Sequence, residues 1–359
     1  MEKMKEMLRE ALKAGAAGMS FGLIYTPGCY ATTEECAELA TVVAEQDGLL
    51  AAHIRNEGDD LLESVEEFLT IIKTSGCKRA VFSHHKAAAK WNWGKVKKSL
   101  AMIDAAVAEG FDIYVDVYPY VASGTALSAT FLPRMFHFEG LTDPLQLLDG
   151  GAREAELRAW AKGRWDNDYS WVLPYRIAGY DEYAGLNINE IADLRGQKDR
   201  MDTIFDLIRE TNKGVNGAFF TMSEEDVEYV MRHPRAMICT DSSSACGKDL
   251  YHPRLRATFP RVLGKYVRER KVTSLPEMIR KMTSMPAHVY RLEGKGQIKE
   301  GYDADICIFD ADTIKDGNDF FNPTLKNEGL SFVIVDGKVV VEDGVYNGTR
   351  AARLVLEKR

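Results

Sequence analysis

The chain has 359 residues, 45% of them hydrophobic and 28% charged, so it can bury a large core. Its formal net charge of −8 argues against nucleic acid or an anionic membrane as its main partner. The sequence contains neither an apolar run of the roughly 20 residues that cross a bilayer nor the apolar stretch of a signal peptide. Its six cysteines form no CxxC pair, which is typical of reduced thiols, and we expect a cytoplasmic protein.

Amphipathic helices alternate with short apolar strands along most of the chain. Helices are predicted over residues 3–14, 59–74, 94–109, 200–212 and 224–232, and another is predicted to begin after a capping pattern at Thr32 and Glu35. Strands are predicted over 18–25, 49–53, 79–83, 111–117, 217–221 and 236–240. Strands separated by single helices predict parallel βα units whose sheet is buried on both faces.

Two stretches depart from this rhythm. Residues from about 121 to 200 are rich in Trp, Tyr and Pro, which predicts an insertion that covers the sheet as a lid. From about residue 294 the chain is β-rich, and a hairpin is predicted around Asp336 and Gly337.

Candidate metal ligands stand where three predicted strands end. His53 closes one strand, His84 follows the next, and Asp241 follows the strand at 236–240. Two imidazoles and a carboxylate at one rim suit Zn²⁺, which would activate water while the carboxylate acts as general base. Each residue alone would more often be a hydrogen-bonded core or turn residue, but their equivalent positions favour the metal-site interpretation.

Candidate substrate-binding groups lie near the same rim. Lys86 and Arg254 could hold a substrate carboxylate, and Tyr118, directly after a strand, could polarise a carbonyl oxygen. Surface ion pairs and a buried strand-end aromatic are the structural alternatives.

Several segments in fixed order resemble those of N-acyl-D-amino-acid deacylases (D-aminoacylases), a family of the metal-dependent amidohydrolase superfamily. These segments are residues 16–28, 52–57, 83–86, 116–120, 240–242, 252–264 and 296–310. The resemblance covers essentially the whole chain.

The resemblance implies an α/β fold, an incomplete (β/α)8 amidohydrolase (TIM-like) barrel with a C-terminal β-sandwich segment. Residues 1–293 would form the partial barrel with the lid inserted at about 121–200, and residues 294–359 part of the sandwich. The implied activity is zinc-dependent hydrolysis of N-acyl-D-amino acids, with one tightly bound Zn²⁺ in a complete enzyme.

The resemblance also implies a role for each candidate side chain. His53, His84 and Asp241 would bind the metal, and Asp241 would also be the catalytic residue. Lys86, Tyr118 and Arg254 would bind the substrate's carboxylate and carbonyl groups.

The chain lacks two features of this family, a His-x-His pair and a metal-binding cysteine before the strand that begins at Gly18. We therefore expect five or six barrel strands and impaired activity, with a missing N-terminal segment or an upstream chain as a partner. A fragment of a longer enzyme, a partner-dependent subunit and an inactive remnant all stay open. The alternative enzyme is a cyclic-amide hydrolase of the hydantoinase or dihydroorotase type, which usually has a bridging lysine that is not recognisable here.

Overall fold

The computed structural model describes residues 1–138, 140–175, 177, 179–242 and 251–355. Its strands are β1 (Gly18–Gly22), β2 (Leu49–His53), β3 (Arg79–Phe82), β4 (Asp112–Val117), β5 (Ser123–Ala126), β6 (Val172–Pro174), β7 (Asn216–Phe219), β8 (Ala236–Ile238), β9 (Ile306–Phe309), β10 (Leu330–Val335), β11 (Lys338–Glu342) and β12 (Val345–Tyr346). Its α-helices are α1 (Glu2–Lys13), α2 (Thr33–Glu45), α3 (Leu61–Ser75), α4 (Lys95–Ala108), α5 (Leu127–Phe131), α6 (Ala152–Trp165), α7 (Ile188–Arg195), α8 (Arg200–Glu210), α9 (Glu224–Arg232), α10 (Arg254–Arg261), α11 (Leu275–Met282) and α12 (Ser284–Val289). A π-helical stretch, Val262–Glu269, continues α10.

A five-stranded parallel sheet in the order β1-β2-β3-β4-β8 forms the centre of the molecule. Its register pairs Phe21 with Ala52, Ala52 with Phe82, and Phe82 with Val115. These side chains are buried, as expected for a sheet covered on both faces. The parallel βα units predicted for these five strands are confirmed.

The flanking helices follow the apolar periodicity of their sequences. In α3 the buried residues Val65, Phe68, Leu69 and Ile72 recur at the spacing of one helix face, and the helix ends at Gly76 with φ 72°. The start predicted for α2 is confirmed, because the Thr32 side chain accepts a hydrogen bond of 3.1 Å from the backbone N–H of Glu35.

A second, antiparallel sheet in the order β5-β7-β6 belongs to the chain between β4 and β8. The prediction that 217–221 is another parallel strand is therefore wrong: β7 pairs antiparallel with both β5 and β6. A short apolar strand buried between two neighbours has the same sequence pattern in either direction, so the pattern could not distinguish them. This excursion, the chain between Val121 and Met222, leaves and rejoins the parallel sheet at one point. There the N–H of Met222 donates to the carbonyl of Val121 over 3.0 Å.

The C-terminal part forms a separate antiparallel sheet in the order β12-β11-β10-β9. The hairpin predicted between β10 and β11 is confirmed, with Asp336 at φ 49° and Gly337 at φ 74°, as a two-residue type I′ turn requires. The fold is therefore α/β, with a parallel sheet and a separate antiparallel one. The boundaries proposed at residues 121, 200 and 293 stay predictions.

Two further expectations concern the described residues only. None of their helices combines the length and apolar character needed to cross a bilayer. Cys29, Cys36, Cys77, Cys239 and Cys307 are free thiols, as predicted, whereas Cys246 lies outside the described residues.

The close approach of β1 and β2 gives a test of the sheet. A Cβ on Gly18 would lie 1.8 Å from the carbonyl oxygen of Leu49. We expect Gly18→Ala to lower the free energy of unfolding by about 2 kcal/mol or more, because a strand backbone must shift. The control Gly163→Ala lies in α6, where a Cβ would meet no described atom within 4 Å. It should raise the free energy of unfolding by at most about 1 kcal/mol. Chemical denaturation measures both, and a Gly18→Ala protein as stable as the parent would contradict this packing.

Candidate metal and substrate site

The predicted metal-binding residues lie at the carboxyl edge of the parallel sheet, where active sites of such barrels are built. His53 is the last residue of β2, while His84 and Asp241 follow β3 and β8. The backbones of His84 (φ 37°) and Asp241 (φ 45°) are left-handed, a conformation that non-glycine residues rarely adopt. Such strain persists only where the surrounding structure imposes it, and it clusters at functional sites.

His53 and His84 face each other across the ends of β2 and β3. Nδ1 of His53 lies 2.5 Å from Nε2 of His84, and the ring centroids are 4.2 Å apart. Burial, followed by the neighbouring charge of His84, lowers the pKa of His53. His53 is therefore neutral near pH 7, the form in which imidazole binds a metal.

A buried ion pair stands on the far side of the His84 ring. Glu57 Oε2 lies 2.7 Å from Lys86 Nζ, and Glu57 Oε1 lies 2.7 Å from His84 Nδ1. Lys86 Nζ is also only 2.6 Å from the same ring nitrogen. Burial alone would raise the pKa of Glu57, but the charges of Lys86 and His84 hold it well below its ordinary value.

Glu57 and Lys86 compete for Nδ1 of His84, and the outcome decides which ring nitrogen is free. When Nδ1 of His84 carries the proton and donates a hydrogen bond to Glu57, the lone pair of Nε2 points toward His53 and is available to a metal. Sequence reasoning did not select Glu57, although a carboxylate four residues after His53 was the available signal.

Asp116 in β4 holds the loop that carries His84. Its Oδ1 accepts a hydrogen bond of 2.6 Å from the backbone N–H of His84. Burial raises the pKa of Asp116, and burial followed by the Asp116 charge raises that of the Cys239 thiol well above its ordinary value. Neither residue was predicted, because their importance depends on the pairing of β4 with β8.

Asp241 and Arg254 form the second charge pair of the site. Asp241 Oδ2 lies 2.8 Å from Arg254 Nη1, and Arg254 is only 6% exposed. The Arg254 guanidinium lies 4.8 Å from the ring centroid of Tyr118, and Lys86 Nζ lies 5.6 Å from the same centroid. Burial raises the pKa of Tyr118 well above its ordinary value, so its hydroxyl stays a hydrogen-bond donor. The predicted substrate-binding set is therefore brought together around the Tyr118 ring.

The structure places the predicted metal ligands in two groups. His53 and His84 form one, and Asp241 with Arg254 forms the other. Across residues 1–242 and 251–355, apart from the few positions not described, no three His, Cys, Asp or Glu side chains are close enough to hold one ion. The two imidazole nitrogens suit zinc as donors, and the place of Asp241 as a third ligand stays a prediction.

A cavity of about 1110 Å³ connects these groups with the inserted segment. His84, Lys86, Tyr118 and Asp241 line one part, whereas the side chains of Trp91, Trp160, Trp165 and Trp171 line another. Arg164 of α6 connects the inserted segment to the chain that follows β2 and β3. It forms an ion pair with Asp59, and its guanidinium lies 4.9 Å from the centroid of the Trp91 ring. The cavity is thus lined both by the polar groups of the candidate site and by aromatic side chains.

Comparisons with known proteins agree with this architecture. Residues 235–341 match the model of an amidohydrolase family. An N-acyl-D-glutamate deacylase of Alcaligenes xylosoxydans xylosoxydans is 35% identical over 94% of this chain and 60% of its own length. A D-aminoacylase of the same organism is 31% identical over 98% of this chain and 64% of its own length.

A solved structure gives the same result. The N-acyl-D-glutamate deacylase of Bordetella bronchiseptica, complexed with zinc and a phosphonate inhibitor, superposes with a TM-score of 0.77. It is 32% identical, and the match covers 96% of this chain and 64% of that one. These likenesses confirm the predicted fold class, a (β/α)8-like amidohydrolase barrel with a β-sandwich segment.

The length of the chain relative to these proteins is also a finding. The chain spans about 60% to 64% of the length of the curated relatives just described. The similarity nevertheless extends over nearly all of its own residues. Over nearly all of its own residues, the chain is thus similar to deacylases of N-acyl-D-amino acids.

Proposed function

We propose that this chain carries the site for metal-dependent hydrolysis of N-acyl-D-amino acids, which yields a D-amino acid and a carboxylate. The observation that carries the proposal is the pairing of His53 with His84 beside the Asp241–Arg254 ion pair at one sheet edge. The similarity to proteins named N-acyl-D-glutamate deacylase and D-aminoacylase supports the substrate class.

The proposed cofactor is a divalent metal, with zinc favoured because a related structure holds it. His53 and His84 would hold the ion through Nδ1 and Nε2, with Asp241 as a proposed further ligand. When bound, zinc supplies Lewis acidity and lowers the pKa of water to near neutrality. Glu57 would accept a hydrogen bond from the protonated Nδ1 of His84 and thereby orient the ring.

The remaining side chains would hold the substrate and move its protons. Asp241 would take a proton from the attacking water and give it to the leaving amine as the C–N bond breaks. Arg254 and Lys86 would bind the substrate carboxylate, and the Tyr118 hydroxyl would donate to the oxygen of the scissile carbonyl. A hydantoin offers no free carboxylate to these cations, which favours the linear substrate over a hydantoin.

Two parts of the hypothesis concern the surroundings of the chain. A cytoplasmic location stays a prediction, as does a further polypeptide segment that completes the site. Adding such a segment in trans to the purified chain and assaying hydrolysis would test the second.

Loss of one histidine tests the metal site directly. We expect His84→Ala to lower zinc affinity at least 10-fold and to abolish hydrolysis of N-acetyl-D-amino acids, because one of two nitrogen donors is gone. His233→Ala, which removes a histidine paired with Asp104 away from the site, should change neither. Elemental analysis after dialysis against graded zinc measures the affinity. Equal zinc content in parent and His84→Ala proteins would refute this site.

Glu57→Gln tests the orientation of His84. We expect a 10- to 100-fold loss of zinc affinity, because the amide favours the wrong tautomer and leaves the Lys86 charge unneutralised. Glu66→Gln, on the exposed face of α3, is the matched control and should bind zinc normally. A Glu57→Gln protein with parental zinc affinity would show that Glu57 serves only the ion pair with Lys86.

Asp241→Asn tests the proton-transfer role. At saturating zinc we expect kcat to fall by about 10²- to 10⁴-fold, since an amide cannot accept the proton of water. Asp104→Asn provides the same change at an exposed ion pair and should leave kcat unaltered. A fall of less than threefold in kcat for Asp241→Asn would assign the base to another group.

A further inference from the structure

Polar groups from two other parts of the chain, Tyr175 and the segment His252–Arg254, converge on Gly124 in β5. A Cβ at this position would lie 3.0 Å from the hydroxyl oxygen of Tyr175, 3.3 Å from Arg254 Nη2 and 3.4 Å from the His252 ring. Gly124 also lines the large cavity, beside Tyr118 and Asp241. The missing side chain therefore leaves a small space between the cavity and these polar groups.

Several donors near this space lack an acceptor, whereas Nη2 of Arg254 donates to the carbonyl of Gly124 over 3.4 Å. The hydroxyl of Tyr175 is buried and has no hydrogen-bond partner among the described residues. The same holds for Nε and Nη1 of Arg254, although Nη1 lies 2.8 Å from a carboxylate oxygen of Asp241. A buried donor without a partner is costly, and a guanidinium can only donate.

The Tyr175 hydroxyl is held firmly in this position. The backbone N–H of Tyr175, just after β6, donates to the carbonyl of Asn216 over 2.8 Å, and the side chain packs on Leu173 and Ala218. Burial raises the pKa of Tyr175, so the hydroxyl keeps its proton. His252 adds no donor toward the space, since its Nε2 is bonded to the carbonyl of Ala122 over 2.9 Å.

We propose that Tyr175 donates a hydrogen bond to the free carboxylate of the substrate, next to Arg254, so that the inserted segment itself forms part of the carboxylate-binding subsite. This inference rests on the proposed function. A carboxylate has two oxygens, which can accept from the Arg254 guanidinium and from the Tyr175 hydroxyl at once. Gly124 keeps the approach open, and any larger side chain would fill it.

Tyr175→Phe tests the inference because it removes only the hydroxyl and keeps the packing ring. We expect the zinc-loaded full chain to bind N-acetyl-D-glutamate about 10-fold more weakly, measured by isothermal titration calorimetry. The α-amide of the same compound lacks the charged α-carboxylate but keeps the side-chain carboxylate, and it should bind parent and variant alike. The matched control is Tyr169→Phe in the aromatic core of the insertion, which should alter neither affinity.

Gly124→Ala provides a second, independent variant. Its methyl group would enter the space beside Tyr175 and Arg254, and we expect a similar loss of affinity for the acid but not for the α-amide. Unchanged binding of the acid by Tyr175→Phe, or equal losses for acid and α-amide, would overturn the inference.

Kinetics separate this inference from the proposed function. If the parent hydrolyses the acid and Tyr175→Phe raises KM with little change in kcat, both stand. If the parent hydrolyses it and Tyr175→Phe leaves KM unchanged, the subsite is wrong and the function stands. If the parent binds the acid through Tyr175 without hydrolysis, the function is wrong and the subsite stands; a parent that neither binds nor hydrolyses it overturns both.

Discussion

Parallel pairing between β4 and β8 sets the position of Asp241 relative to the histidine pair in the candidate site. These strands are far apart in the sequence, yet Val115 pairs with Ala236 and Val117 with Ile238. Because both strands run in the same direction as β2 and β3, their carboxyl ends meet at one edge. Asp241 and the start of α10 are thereby carried to Tyr118 and the histidine pair. Without this single long-range contact, the two halves of the site would have no fixed relation to each other.

Charge neutralisation is the second constraint, because four ionised side chains are largely withdrawn from water. Glu57 with Lys86 and Asp241 with Arg254 form two opposite pairs, one on each side of Tyr118. Removing one partner of such a pair commonly costs 3–5 kcal/mol, since the other is left buried and uncompensated. Against the effect of burial, the charges of Lys86 and His84 lower the pKa of Glu57, so this carboxylate stays ionised. A positive metal ion entering beside His84 would act on both pairs.

The sequence alone predicted the features that depend on local pattern. The βα rhythm, the positions of His53 and His84 at strand ends and the Asp336–Gly337 hairpin follow from periodicity and turn chemistry. The direction of β7 could not be predicted, because a buried apolar strand looks alike in either orientation. Glu57 and Tyr175 were missed for another reason: each matters through contacts with residues on other elements, His84 in one case and Arg254 in the other. Resemblance to a family supplied the substrate class, which no periodicity contains.

The hydrogen bond between Val121 and Met222 has a consequence for how such a protein can diversify. The whole excursion between these residues starts and finishes at one point of the barrel, so its replacement would neither stretch nor shift the strands beneath it. The metal-binding residues would stay with the parallel sheet, and the cavity wall that contacts the substrate would come with the replaced segment. Domain shuffling at this junction, in nature or in the laboratory, could therefore change selectivity in a single step while leaving the reaction untouched.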